Sequence, residues 1–306
     1  MDQLLRNFFL FLSNNRTLTK LAKSYGFKFG AGRFVAGETI EQASTKIKQM
    51  NEDGFAVTVD HLGEFIDNEA EAKAAVEECI HAINVFAEEG LDAELSLKLT
   101  SIGLDISQEL VMNNMRFILN AAKKHGLIVT IDMEDFSRAE QTLQIFKELR
   151  SEYKNVGTVL QAYLYRVEAD IEDLNAYDPY LRLVKGAYKE SEQVAFPNKQ
   201  DVDENYRRII KQNLLQGNYT AIATHDEAII DFVKKCEKEF RIPREQFEFQ
   251  MLYGIRIDLQ NELIAAGYKV RVYVPYGKDW FGYNMRRLAE RPANVMFVLR
   301  GIIKQK

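Results

Sequence analysis

The chain has 306 residues, 46% of them hydrophobic and 28% charged, a balance that excludes collagen-like, disordered and disulfide-stapled classes and supplies a large core. That length suits two domains of about 150 residues or one (β/α) barrel of about 250 with extra helices. Forty basic against 45 acidic residues leave a formal charge of −5, so no basic field advertises a nucleic-acid partner.

The first run, Leu4 to Leu12, is shorter than the ~20 apolar residues of a membrane span, carries Arg6 and has no small-residue cleavage site after it. Neither a span nor an export signal is expected. Helices are expected over Leu4 to Tyr25 and Ile40 to Asp53, joined by the glycine-rich stretch Gly30 to Gly37. Its GxGxxxxG spacing follows no strand, which favours a connector over a phosphate cradle.

Eight segments rich in β-branched or aliphatic residues follow: Phe55 to Asp60, Ala93 to Leu99, Leu127 to Met133, Val156 to Ala162, Tyr180 to Lys185, Tyr219 to Thr224, Phe247 to Leu252 and Lys269 to Val274. A stretch of helical periodicity follows each. Val111, Met115, Ile118, Leu119 and Ala122 share one face, as do Val202, Tyr206, Ile209, Ile210 and Leu214. Thr39 with Gln42 and Ser137 with Glu140 have the spacing of a capping box, and Gly90, Gly126, Gly217 and Gly267 stand where helices should stop. Strict alternation over eight units predicts an α/β fold, a distorted (β/α)8 TIM-type barrel with extra N-terminal helices, rather than a doubly wound open sheet. The expected division is an N-terminal helical segment over 1–54 and a catalytic barrel over 55–306.

Cys79 and Cys236 have no partner at short spacing and read as thiols of a reducing cytoplasm. No HExxH or Cys/His ladder occurs, so no dedicated metal site is expected. Barrel chemistry gathers at the C-terminal strand ends, where Asp60, Lys98, Asp132, Gln161, Lys185, Thr224 with His225, Gln250 and Tyr273 stand. Each alone is ordinarily a solvated rim residue; eight together point to a site. Lys98, Arg182 and Lys185, with Arg286 and Arg287 on the last helix, suit an anionic substrate or a cofactor that acquires negative charge.

The segments RLVKGAYKE (Arg182 to Glu190), ATHD (Ala223 to Asp226), FEFQMLYGIR (Phe247 to Arg256) and RVYVPYGKDWFGYNMRRLAERPAN (Arg271 to Asn294) together resemble the FAD-dependent proline dehydrogenases, in their stand-alone bacterial form. LKLT around Lys98, TIDMED around Asp132 and LQAYLYR around Gln161 continue the likeness in order. The resemblance implies that FAD is held by Gln161, Arg182, Lys185, Gly186, Ala187, Thr224 and His225, with Met133 beside the isoalloxazine. It implies Arg182 at flavin N5 with Asp132 supporting it, Lys98, Arg286 and Arg287 on the substrate carboxylate, and Tyr273 and Tyr283 walling the substrate ring. Glu290, at i+4 from Arg286 and i+3 from Arg287, can orient both guanidinia. Lys189 departs from the aromatic that many relatives carry after KGAY.

The implied reaction is oxidation of L-proline to Δ1-pyrroline-5-carboxylate, hydride passing to the flavin and electrons onward to a quinone, with a separate pyrroline-5-carboxylate dehydrogenase taking the product. The competing readings are a Schiff-base aldolase using Lys98 or Lys185, and a barrel that only binds an amino acid or nucleotide. A lipid-soluble acceptor implies a cytoplasmic protein with peripheral membrane contact. The segment Val295 to Lys306 is the candidate surface, although packing as the last barrel helix is the favoured reading of it.

Overall fold

The computed structural model describes residues 34–63 and 66–290, with side chains as far as Met285. Eight parallel strands close into a barrel in chain order: β1 (Ala56–His61), β2 (Ala93–Lys98), β3 (Val129–Asp132), β4 (Val156–Gln161), β5 (Tyr180–Val184), β6 (Thr220–Ala223), β7 (Phe247–Leu252) and β8 (Val270–Tyr276). Helix α1 (Ile40–Glu52) precedes them and packs on β1. The strands are followed in turn by α2 (Glu69–Glu88), α3 (Gln108–Lys124), α4 (Phe136–Glu152), α5 (Val167–Leu174), α6 (Lys199–Leu215), α7 (Glu227–Phe240), α8 (Ile257–Ala265) and α9 (Trp280–Glu290). The (β/α)8 TIM-type expectation is met.

The alternation along the strands explains the layering. Outward positions such as Val57, Val59, Leu95, Leu97, Val129 and Ile131 are aliphatic and buried against the helices. Each such side chain stabilises the fold by about 1.5 to 3 kcal/mol relative to an exposed position. The lumen is instead polar: Glu94, Ser96 and Lys98 alternate along β2, and Arg271 and Tyr273 along β8, each bonded to a residue of another strand. On α3, Val111, Met115, Ile118, Leu119 and Ala122 are all buried, as the periodicity requires. Gly90, Gly126, Gly217 and Gly267 close their helices with φ between 64° and 83°, a conformation costly for other residues.

Some local expectations need correction. Helix α4 begins after Asp135, so Ser137 lies inside its first turn and donates to Asp135 instead of forming a capping box with Glu140, whose carboxylate pairs with Arg166. Thr39 does cap α1, but Gln42 reaches back to the Glu38 N–H at 2.9 Å rather than to Thr39. Strand β8 runs on to Tyr276 because Asp60 and His61 of β1 pair with Pro275 and Tyr276, and the Pro275 carbonyl accepts the Ala36 N–H at 2.9 Å. Tyr273 therefore lies within β8, not at its end. The helix expected over Leu4 to Tyr25, and the segment Val295 to Lys306, lie outside the described residues.

Candidate active site

Asp132, at the end of β3, is the hub of the barrel mouth. Its Oδ1 accepts from Arg182 Nη1 of β5 at 2.7 Å and from Ser96 Oγ of β2 at 2.7 Å; its Oδ2 accepts from the Tyr273 hydroxyl of β8 at 2.7 Å. Lys98 Nζ stands 3.8 Å from that Oδ2 and 3.2 Å from Asp60 Oδ2 of β1. Four strands thus deliver charge to one point, which register alone achieves, since Lys98 pairs directly with Asp132 across β2 and β3. Burial pushes the Asp60 carboxyl above its ordinary range, against the pull of Lys98. Burial, with Asp132 beside it, likewise pushes the Tyr273 phenol well up, so it stays a neutral donor. The Arg182 guanidinium lies 5.4 Å from the Tyr273 ring centroid, a cation–π contact.

Arg182 is only 3% exposed, yet its Nε and Nη2 have no hydrogen-bond partner among the described residues. Gln161 resembles it: Nε2 donates to the Glu134 carbonyl at 3.1 Å while the buried Oε1 has no partner. Buried polar groups are rarely left so, because desolvation without a bond costs free energy. Two such groups on adjacent strands mark a place where a polar ligand would complete the structure.

A second cluster lies beyond β5. Lys185 Nζ meets Asp203 at 2.5 Å and Asp226 at 2.7 Å. Both carboxyls are held below their ordinary range: burial alone would raise them, and Lys185 outweighs it. Thr224 Oγ1 accepts the Asp226 N–H at 3.1 Å, and His225 Nε2 accepts the Leu252 N–H at 2.9 Å, which leaves Nδ1 as the protonated nitrogen of a neutral ring. Gly186 follows with φ +111° against the Tyr163 ring; a Cβ there would lie 2.3 Å from a ring carbon. No other residue allows the chain to turn so close to Tyr163.

The strand-end residues therefore do not all converge. Asp60, Lys98, Asp132, Arg182 and Tyr273 meet; Lys185, Thr224 and His225 form the neighbouring cluster. Gln250 Nε2 donates to Glu248 at 2.6 Å, while its buried Oε1 has no partner among the described residues. Met133 is buried directly after β3, Ala187 is exposed, and Tyr283 is buried on α9. The side chains of Arg286, Arg287 and Glu290 fall outside the described residues. Sequence reasoning passed over Ser96, Asp203 and Glu134, and the alternation of Glu94, Ser96 and Lys98 in AELSLK is the signal that could have found the first.

A closed barrel whose mouth buries a guanidinium with two nitrogens unpartnered among the described residues is the class of (β/α)8 protein that can take a ligand with electronegative atoms. The sequence pattern of the proline dehydrogenase family matches residues 43–300, and this chain belongs to that family. It is 57% identical to proline dehydrogenase 1 of Bacillus subtilis (strain 168) over 302 residues, covering 99% of this chain and 100% of that one. Proline dehydrogenase of Deinococcus radiodurans is 45% identical over 309 residues, covering 99% of each. Among solved structures, proline utilization A from Bdellovibrio bacteriovorus inactivated by N-propargylglycine superposes with a TM-score of 0.84 at 25% identity, over 99% of this chain and 38% of that one. Among the described residues no helix is long and apolar enough to cross a membrane.

Proposed function

We propose that this proline dehydrogenase oxidises L-proline to (S)-1-pyrroline-5-carboxylate with FAD and passes the electrons to a quinone. The observation that carries this reading is the buried Arg182, whose Nε and Nη2 have no hydrogen-bond partner among the described residues, with Gln161 Oε1 on the adjacent strand in the same condition. A flavin edge offers both acceptors and an N–H donor, so the residues present fit the cofactor. FAD, when bound, supplies the acceptor for a hydride from the carbon next to the ring nitrogen.

The chain's own contributions follow from its geometry. Arg182, fixed by Asp132, places positive charge where reduction adds negative charge. Lys185, Gly186, Ala187, Thr224 and His225 would hold the nucleotide, Gly186 keeping the backbone turn beside Tyr163, and Met133 would pack on the ring system. Lys98 with Arg286 and Arg287 would take the substrate carboxylate in one pose, Glu290 orienting the two arginines, while Tyr273 and Tyr283 would wall the five-membered ring. A separate pyrroline-5-carboxylate dehydrogenase would consume the product, and a quinone acceptor would draw a cytoplasmic protein to the membrane surface.

An aldolase reading fits less well. A Schiff-base lysine must spend time neutral, whereas Lys98 stands 3.2 and 3.8 Å from two carboxylates that favour its ammonium form. The test is proline-dependent reduction of a quinone analogue with one cyclic imine formed per two electrons transferred. Proline turnover without acceptor reduction, or none at all in the flavin-loaded protein, would overturn the reading.

A further inference from the structure

We infer that Ser96 is a positioning residue that fixes the plane of the Arg182 guanidinium and so aims Nε and Nη2, which have no partner among the described residues, at the cofactor; the inference rests on the proposed flavin site. Ser96 is 1% exposed, in the middle of β2, facing the lumen. Its hydroxyl has one proton to give. Arg182 cannot accept, so the 3.0 Å contact from Nη1 to Ser96 Oγ uses an oxygen lone pair. The proton then goes to Asp132 Oδ1 at 2.7 Å, in preference to the Thr130 carbonyl at 3.4 Å.

The consequence lies in Nη1. It meets two acceptors that stand 2.7 Å apart, Asp132 Oδ1 at 2.7 Å and Ser96 Oγ at 3.0 Å. Because a guanidinium is planar, two bonds from one terminal nitrogen set the orientation of the whole group. The Nε–H and both Nη2 protons are then directed in a plane the protein has already chosen. With Asp132 alone, one of these bonds would remain and the plane would be held less firmly, the Tyr273 ring 5.4 Å away being a further contact on it. Fixed donors are worth more than mobile ones because no reorganisation is needed when charge develops.

The test compares flavin-loaded wild-type protein with Ser96→Ala and Ser96→Thr, measuring kcat and KM for proline and the flavin midpoint potential. Ser96→Ala should lower kcat about tenfold with KM within about twofold, and should lower the reduced-to-oxidised flavin ratio about tenfold, a shift of about 30 mV for a two-electron couple. Ser96→Thr, which retains the hydroxyl, should restore most of both. Unchanged kcat and potential in a folded Ser96→Ala protein would overturn the inference, as would Ser96→Thr failing as badly as Ser96→Ala. If Ser96→Ala does not fold, Ser96→Thr against the isosteric Ser96→Val makes the same comparison, and equal potentials overturn it. Wild-type protein whose bound flavin proline does not reduce would sink the proposed function itself, and this inference with it, a result separable from any variant's.

Discussion

Arg182 and Arg271 are the two arginines buried in the barrel lumen near its axis, and they are used in opposite ways. Arg271, low in the barrel, is saturated: Nε donates to Glu248 at 2.7 Å, Nη1 to the Val57 carbonyl at 2.9 Å, and Nη2 faces Glu94 at 3.1 Å. Tyr180 reaches both glutamates at 3.3 Å, and Tyr219 and Lys269 meet Glu248 at 2.8 and 3.0 Å. Gly157 makes this possible, since a Cβ there would come within 2.6 Å of the Tyr180 ring. Arg182, at the mouth, uses one nitrogen of three among the described residues. The same residue type in the same lumen is thus a structural plug where its donors are spent and, in the function proposed above, a binding group where they are kept.

Breaking the plug should have the largest effect. Arg271→Met strands two buried carboxylates, a change that costs about 3 to 5 kcal/mol, so the thermal midpoint should drop steeply or soluble protein should be lost. Arg182→Ala should do the reverse. Asp132 retains Ser96, Tyr273 and Lys98, so the midpoint should move little, while kcat/KM for proline should fall about 10² to 10³-fold. Equal losses of stability in the two variants would erase the distinction.

Gly186→Ala tests the turn between the two clusters. With φ at +111° and the Tyr163 ring in the way, it should destabilise by about 1 to 3 kcal/mol and weaken FAD retention, read from flavin content after gel filtration.

The plug also predicts an acid response. Burial works against the Glu248 charge, but Arg271 and Lys269 outweigh it and hold its pKa at about 2, below the ordinary 4.5. The folded chain therefore keeps this carboxylate ionised where the unfolded chain takes up a proton. Its stabilisation is complete above pH 4.5 and drains away as pH falls toward 2. Burial raises Glu94 and Asp60, whose contributions have the opposite sign. Denaturant unfolding at stepped pH should show the loss in wild type and a flatter slope in Glu248→Gln.

The smallest effect is one of selectivity. Tyr273 lines the mouth with its hydroxyl on Asp132, so Tyr273→Ser should open space for a ring hydroxyl and narrow the preference for proline over 4-hydroxyproline. An unchanged ratio of kcat/KM would place that discrimination elsewhere.

All eight strands were legible in the sequence because their outward residues are aliphatic or aromatic and four of the helices between them stop at glycine. The lumen was legible only in part. Asp132 binds Arg182 50 residues away and Tyr273 141 residues away, partnerships that exist only after closure. Asp132 and Lys98 at strand ends and Arg182 within its strand were legible because charge inside an aliphatic segment is conspicuous. Ser96 is small and its bonds are made to groups from other strands, so its role appears only when Nη1 is seen to hold both partners. Gln250 shows the converse: polar near a strand end, it donates to Glu248 of the plug below, a partnership invisible before the strand is placed.

The most direct test of the account is anaerobic addition of L-proline to the purified protein while the visible spectrum is followed. The account predicts a yellow protein with stoichiometric FAD whose absorbance bleaches on proline and returns with a quinone analogue, and Arg182→Ala protein reconstituted with FAD that bleaches far more slowly. A colourless protein that takes up no FAD, or bound flavin that ignores proline, would contradict it.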